Sequence, residues 1–155
     1  MENDTSQGLT ELAAIKGLMN MTETGSGTNE RQRILVMNND QDMLRLLNRT
    51  LELEGFDTIV VADGESAVDL LEKLAPDMVI MDTITPDFDS LHTLDLIREH
   101  SNVPIIILTA DNEVETLRKV FDHGADDYIR KPFGTKSFIA RVKAKLRRSY
   151  QEARL

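Results

Sequence analysis

The chain of 155 residues has no cysteine. That removes disulfide scaffolds, thiolate zinc sites, thiol nucleophiles and Cys-ligated iron–sulfur clusters together, and it suits a reducing cytoplasm. Only three histidines occur, His92, His100 and His123. No two stand three or four residues apart, the spacing that sets two ligands on one helix face, so a His-based metal centre is not expected. No apolar run approaches the roughly 20 residues that cross a bilayer, and the start, MENDTSQG, is acidic where a secretory signal is basic. The expectation is a soluble, cytoplasmic protein with no membrane partner. Positive charge is scarce: 18 Lys+Arg against 27 Asp+Glu gives −9, which repels nucleic acid and anionic membranes. Glycine-rich phosphate loops are missing, since neither G-x-x-x-x-G-K-[ST] nor G-x-G-x-x-G follows a strand-like run, and both common nucleotide-site types are thereby excluded.

What is present is one domain's worth of chain, 41% apolar, enough for a core without staples and too short for a second full domain. Residues 1–30 stand apart. Leu9, Leu12, Ile15, Leu18 and Met19 mark one short amphipathic helix that Gly17 weakens, and Thr22-Glu-Thr-Gly-Ser-Gly-Thr-Asn29 has linker composition. This reads as a mobile arm, with a docking helix for a partner or a second copy as the alternative.

From Arg33 two periodicities alternate. Ile34-Leu-Val-Met37, Thr58-Ile-Val-Val61, Met78-Val-Ile-Met81 and Pro104-Ile-Ile-Ile-Leu108 are short β-rich runs, and Asp127-Tyr-Ile129 is a shorter fifth. Helical patterns lie between and after them: Leu44, Leu47 and Leu51 up to Gly55; Ala67, Leu70, Leu71 and Leu74 up to Pro76; Leu91, Leu94 and Ile97; Val114, Leu117 and Phe121 up to Gly124; and Phe138, Val142 and Leu146. Strict β-α alternation with short connections demands a doubly wound parallel sheet with helices on both faces. Function then belongs at the carboxyl ends of the strands, where strand order reverses.

The strand exits carry Asn38, Asn39 and Asp40, then Asp82, then Thr109, then Lys131 followed by Pro132. Asp82 ends an apolar run, so its carboxylate sits at the lip of a buried strand and needs compensation, which Lys131 offers. Such a carboxylate can attack phosphorus while the ammonium and the Thr109 hydroxyl steady the transferred oxygens. A purely structural ion pair, with Thr109 merely ending a strand, explains the spacing equally well.

Four segments in order, Ile34-Leu-Val-Met-Asn-Asn-Asp40, Met81-Asp-Thr-Ile-Thr-Pro86, Pro104-Ile-Ile-Ile-Leu-Thr-Ala110 and Gly124-Ala-Asp-Asp-Tyr-Ile-Arg-Lys-Pro-Phe133, carry a resemblance. Together they resemble the receiver domain of two-component response regulators over about three quarters of the chain. The resemblance implies a flavodoxin-like five-stranded parallel sheet of order 2-1-3-4-5 with five helices; with the arm read from composition at residues 1–30, the receiver is expected at 31–150 and a tail at 151–155. It implies that Asp82 accepts a phosphoryl group from a sensor histidine kinase, that Thr109 and Lys131 bind that group, that Thr109 and Tyr128 relay the switch, and that Lys131–Pro132 is a cis peptide. The closing segment is similar to the winged-helix transcription-factor branch, which implies a homodimer through the fourth helix, fifth strand and fifth helix, in service of transcription.

The family holds Mg²⁺ with two acids after the first strand plus the phosphoacceptor; here those positions are Asn38 and Asn39. The ligand set left is Asp82, Asn39 and the Ile84 backbone carbonyl, which implies Mg²⁺ binding that is weakened or lost. Asp40 reads as a helix N-cap, not a substitute ligand. The alternative function is a degenerate receiver acting as a phosphorylation-independent interaction module. A phosphatase-like hydrolase is disfavoured, because its second acid two residues beyond the nucleophile is here Ile84. Lys136 to Leu155 carries seven basic residues against Glu152, but with no aromatic interleaving it reads as a helix paired with acids such as Asp126 or Asp127, and direct nucleic-acid binding by this chain is not expected. Asp87, Phe88 and Asp89 read as an exposed turn, and His123 as a helix-end residue.

Overall fold

Each β-rich run becomes a strand in the computed structural model, which describes residues 31–38, 40–83 and 88–154. The expected arm at residues 1–30 and the positions Asn39, Ile84 and Asp87 lie outside the described residues. The elements run β1 Arg33–Met37, α1 Gln41–Leu53, β2 Asp57–Val61, α2 Gly64–Leu74, β3 Met78–Asp82, α3 Phe88–His100, β4 Ile105–Thr109, α4 Val114–Asp122, β5 Asp127–Arg130 and α5 Thr135–Arg154. All four strand pairings are parallel and the order is β2-β1-β3-β4-β5. Order reverses between β1 and β3, so a crevice opens at their carboxyl ends.

Strand alternation divides the core into two layers. Leu35, Ile59, Val79, Met81, Ile105 and Ile107 face Leu71 of α2, Leu94 and Ile97 of α3 and Val120 of α4. Ile34, Val36, Met78, Ile80, Ile106 and Leu108 face Leu47 and Leu51 of α1 and Phe138, Val142 and Leu146 of α5. β3 and β4 are buried at every residue, which is why their runs carry no polar interruption before the last position. β4 begins at Ile105, one residue later than the sequence pattern, because Pro104 has no N–H to give; its carbonyl still accepts from the Val79 N–H at 2.9 Å.

Helix ends follow local chemistry. Asp40 caps α1, its side chain accepting from the Asp42 N–H, and Asp63 caps α2 by accepting from the Ser66 N–H. Gly55 and Gly124 take φ of 91° and 106° after α1 and α4, whereas α2 stops on Ala75 at φ 44°, with Pro76 next. The Lys131–Pro132 peptide is cis. α3 begins at Phe88, so Phe88 and Asp89 belong to a helix rather than to a turn, and α5 continues to Arg154 through four of the five residues expected as a tail.

Arg98 ties the far end of α3 to the next connection. Its guanidinium donates to the carbonyls of Gly124 at 2.7 and 2.9 Å and of Val103 at 2.6 Å, and pairs with Asp126 at 2.7 Å. Asp126 therefore serves Arg98, not the basic last helix; α5 pairs instead through Arg141 with Asp127 and Lys143 with Glu54.

Candidate functional site

Parallel register brings the expected residues to one edge. Asp82 ends β3 and pairs in register with Leu108, so Thr109 stands one residue beyond it on the neighbouring strand. Thr109 in turn faces Arg130 of β5, and its carbonyl accepts from the Lys131 N–H at 2.8 Å. Lys131 thereby emerges next to Asp82, and its ammonium forms an ion pair with Oδ1 of that carboxylate.

The second oxygen is engaged from the other side. Asn38, buried at the exit of β1, donates its side-chain N–H to Asp82 Oδ2, while its own Oδ1 accepts from the Asp40 N–H at 2.9 Å. With donors on both oxygens the Asp82 side chain is only 2% exposed, whereas Lys131 remains 21% exposed. Burial raises the Asp82 pKa above the usual carboxylate value; Lys131 opposes this most, the nearby Asp40 charge adds to it, and the Asn38 bond opposes it weakly. The fully buried Thr109 hydroxyl accepts from the Asp111 N–H at 3.2 Å.

Tyr128 is held apart from this group. It pairs in register with Ile107 and packs against the core layer under α2, α3 and α4, with a buried hydroxyl that has no hydrogen-bond partner. Burial and the Asp111 charge push its pKa up, while Arg130 pulls it down. A phenol in this state is a polar group awaiting a partner.

A cleft of about 700 Å³ opens over Asp82 and Lys131, between the starts of α2 and α3. Its walls include Asp63 and Glu65 of the α2 start, and Asp89 and His92 of α3. Of these, Asp89 was met in the sequence only as part of a turn near Asp82, and Asp63, Glu65 and His92 were not placed at the site; the signal available for Asp63 was its position directly before Gly64. That glycine is needed for packing, since a Cβ there would meet the Thr93 hydroxyl of α3 at 2.5 Å.

A sequence profile of the response regulator receiver domain matches residues 34–143. The chain belongs to that family. It is 40% identical over 122 residues to the DNA-binding response regulator MtrA of Mycolicibacterium smegmatis, covering 79% of this chain and 54% of the relative. The receiver thus spans about half the length of the curated relatives it matches. Among solved structures it superposes on the Francisella response regulator 1452 receiver domain with a TM-score of 0.69 at 30% identity, covering 77% of this chain and 99% of the other. It also superposes on the BeF3-activated receiver domain of Klebsiella pneumoniae RstA with a TM-score of 0.69 at 25% identity, covering 75% and 99%. The receiver is therefore a signalling domain of two-component type, and such domains interact with sensor histidine kinases. Among the described residues no helix is long and apolar enough to cross a membrane.

Receiver domains generally bind Mg²⁺ at an acidic pocket. Asp40, Asp63, Glu65, Asp82 and Asp89 make the cleft acidic, but among the described residues no three of them form a group that could hold a metal ion. Asp82 is a single carboxylate already holding an ammonium and an amide, and the Asn38 oxygen is turned to backbone. Asn39 and Ile84, expected beside Asp82 as metal ligands, lie outside the described residues.

Proposed function

We propose that Asp82 is the phosphoacceptor of this receiver and that Lys131, Thr109 and Tyr128 convert its modification into a change of surface. The observation that carries the reading is the Lys131 ammonium seated on a carboxylate at the floor of an open cleft. An Asp82 oxygen would attack the phosphorus of a kinase phosphohistidine; the O–P bond forms, the N–P bond breaks, and the imidazole leaves with its electron pair and takes up a proton. Lys131 would follow the charge from the carboxylate to the phosphoryl oxygens, with the Thr109 hydroxyl donating to one of them. The hydroxyl of Tyr128, unpartnered in the present state, gives the receiver a side chain with something to gain by moving.

The output we assign is dimerisation through α4, β5 and α5, in a transcription regulator of the winged-helix branch in which DNA contact is made by a part other than this receiver. Exposed apolar Val114 and Phe121, seven residues apart on α4, support the surface. The role is signalling, not turnover, since position 84 holds isoleucine where an aspartyl phosphatase carries a second acid. The receiver unit is taken as residues 31–150, working in the cytoplasm.

A second reading is favoured by Asn38. With an amide where the family has an acid, and that amide bonded to Asp82 itself, Mg²⁺ affinity is weakened and the receiver acts as an interaction module independent of phosphate. Incubation with a small acyl phosphate, with and without Mg²⁺, followed by intact-mass measurement separates the two. A gain of one phosphoryl group, absent in Asp82→Asn, is the expected result; no adduct at high Mg²⁺ overturns it in favour of the interaction module.

A further inference from the structure

Away from the acid edge, α1 and α5 leave a second concavity of about 610 Å³ between them. Leu46, Thr50 and Leu53 recur at four and three residues along the outer side of α1, distinct from the core stripe of Leu47 and Leu51. Leu46 and Leu53 are 47% and 78% exposed, an apolar pair that the fold itself does not cover. Across the groove, α5 supplies Ile139 and Ala140. Arg49, Lys136 and Lys143 line it as well, with Glu54 as the acid among them, and Glu54 is already paired with Lys143 at 2.8 Å. The groove is apolar at its floor and net positive at its rim.

Residues 1–30 have the complementary pattern. They carry five acids, Glu2, Asp4, Glu11, Glu23 and Glu30, against Lys16 alone, and within them Leu12, Ile15 and Met19 recur at three and four residues, the spacing with which a helix anchors in a groove. The point where this segment joins the fold is close by. Arg31 pairs with Asp57, and the Gln32 carbonyl accepts from the Asp57 N–H at 3.0 Å, three residues past the Glu54 end of the groove. The eleven residues 20–30 are rich in Gly, Ser and Thr, and a linker of that composition and length reaches roughly 18 Å, against about 10 Å from Leu53 back to Leu46 along the helix. A segment tethered so near its site binds at high effective concentration.

We propose that the stretch around Leu12, Ile15 and Met19 docks in cis into the α1–α5 groove, covering Leu46 and Leu53 and leaving the Asp82 cleft open. The receiver would then carry its own occupant for this face, one that a partner or a second copy must displace.

The test uses the full chain. Because no cysteine is present, Asn20→Cys provides a unique spin-label position just beyond the stretch. In uniformly ¹⁵N-labelled protein the label is expected to erase amide signals of α1 and α5 around Leu53 and Lys143, and to spare those of α3. Leu53→Asp, at an exposed position that the core does not use, is expected to restore them, as is Ile15→Asp. Dilution must leave the effect unchanged, and a mixture of ¹⁵N-labelled unlabelled-spin protein with ¹⁴N spin-labelled protein must show none. Broadening in that mixture assigns the groove to a second copy and overturns docking in cis; intact α1 and α5 signals in the spin-labelled chain overturn docking altogether.

Discussion

Replacing Asn38 by aspartate puts a second acid where an amide now donates to Asp82. The Asn38 Nδ2 to Asp82 Oδ2 distance is 2.5 Å, so the two carboxylates would sit with charge centres about 4 Å apart, a repulsion of about 4 kcal/mol at an effective dielectric near 20. The hydrogen bond to a charged group, about 1.5–3 kcal/mol, is lost as well. Proton uptake by one acid and the neighbouring Lys131 recover part of this, leaving a net cost of about 2–4 kcal/mol in the absence of metal. Mg²⁺ should reverse the loss in the variant, by about 2.7 kcal/mol when its concentration is a hundredfold above the dissociation constant. Urea unfolding followed by far-ultraviolet circular dichroism, in EDTA and in excess Mg²⁺, measures both quantities. The native receiver should gain clearly less from Mg²⁺ than Asn38→Asp does. If the variant in EDTA matches the native chain, or both gain equally from Mg²⁺, the reading that Asn38 steadies Asp82 and weakens Mg²⁺ binding is refuted.

The raised pKa of Asp82 has a definite sign in stability. The folded chain keeps this proton at pH values where the unfolded chain has released it, so stability falls as pH rises from the unfolded value of 3.8 through the higher folded one. The difference in unfolding free energy between native and Asp82→Asn proteins should shift across that window and be flat above it; a flat difference throughout would contradict the burial argument. Tyr128→Phe removes a buried hydroxyl without a partner and should stabilise the unmodified receiver by about 1 kcal/mol, read from the urea midpoint. Arg98→Ala orphans carbonyls of Val103 and Gly124 and should cost about 2–4 kcal/mol, with Arg98→Lys a poor rescue because an ammonium cannot span the same acceptors. Ala75→Gly relieves a left-handed alanine and should add about 0.5–1 kcal/mol, visible in the same assay.

Period and punctuation made the fold readable. Runs such as Met78-Val-Ile-Met81 are short, apolar and bounded by turn signals, as strands buried on both sides are, and Gly55 and Gly124 stop helices where a positive φ is required. Ala75 is the exception: Pro76 announces the stop, but nothing in composition announces the left-handed turn, because alanine is an unusual choice for φ 44°. Asp82, Thr109 and Lys131 were visible because the first two end a strand and the third follows one, and parallel register collects such residues at one edge. The walls from Asp63, Glu65 and His92 were not, since α2 and α3 meet at Gly64 and Thr93, a tertiary contact with no local signature, whereas Asp89 was legible only as a loop residue near Asp82. Arg98 escaped notice for the same reason: its acceptors are carbonyls 5 and 26 residues away, and a backbone oxygen leaves no mark in composition.

Asn38 joins Asp82 to the first turn of α1, one end on that carboxylate and the other on the N–H of the residue that caps the helix. α1 and Tyr128 pack into different core layers, on opposite sides of the sheet. A phosphoryl group that pulls Asn38 out of place would therefore slacken the mooring of α1 at the same moment as it draws Thr109 inward. One covalent event would then tug on both faces of the molecule, giving this switch two mechanical outlets instead of one.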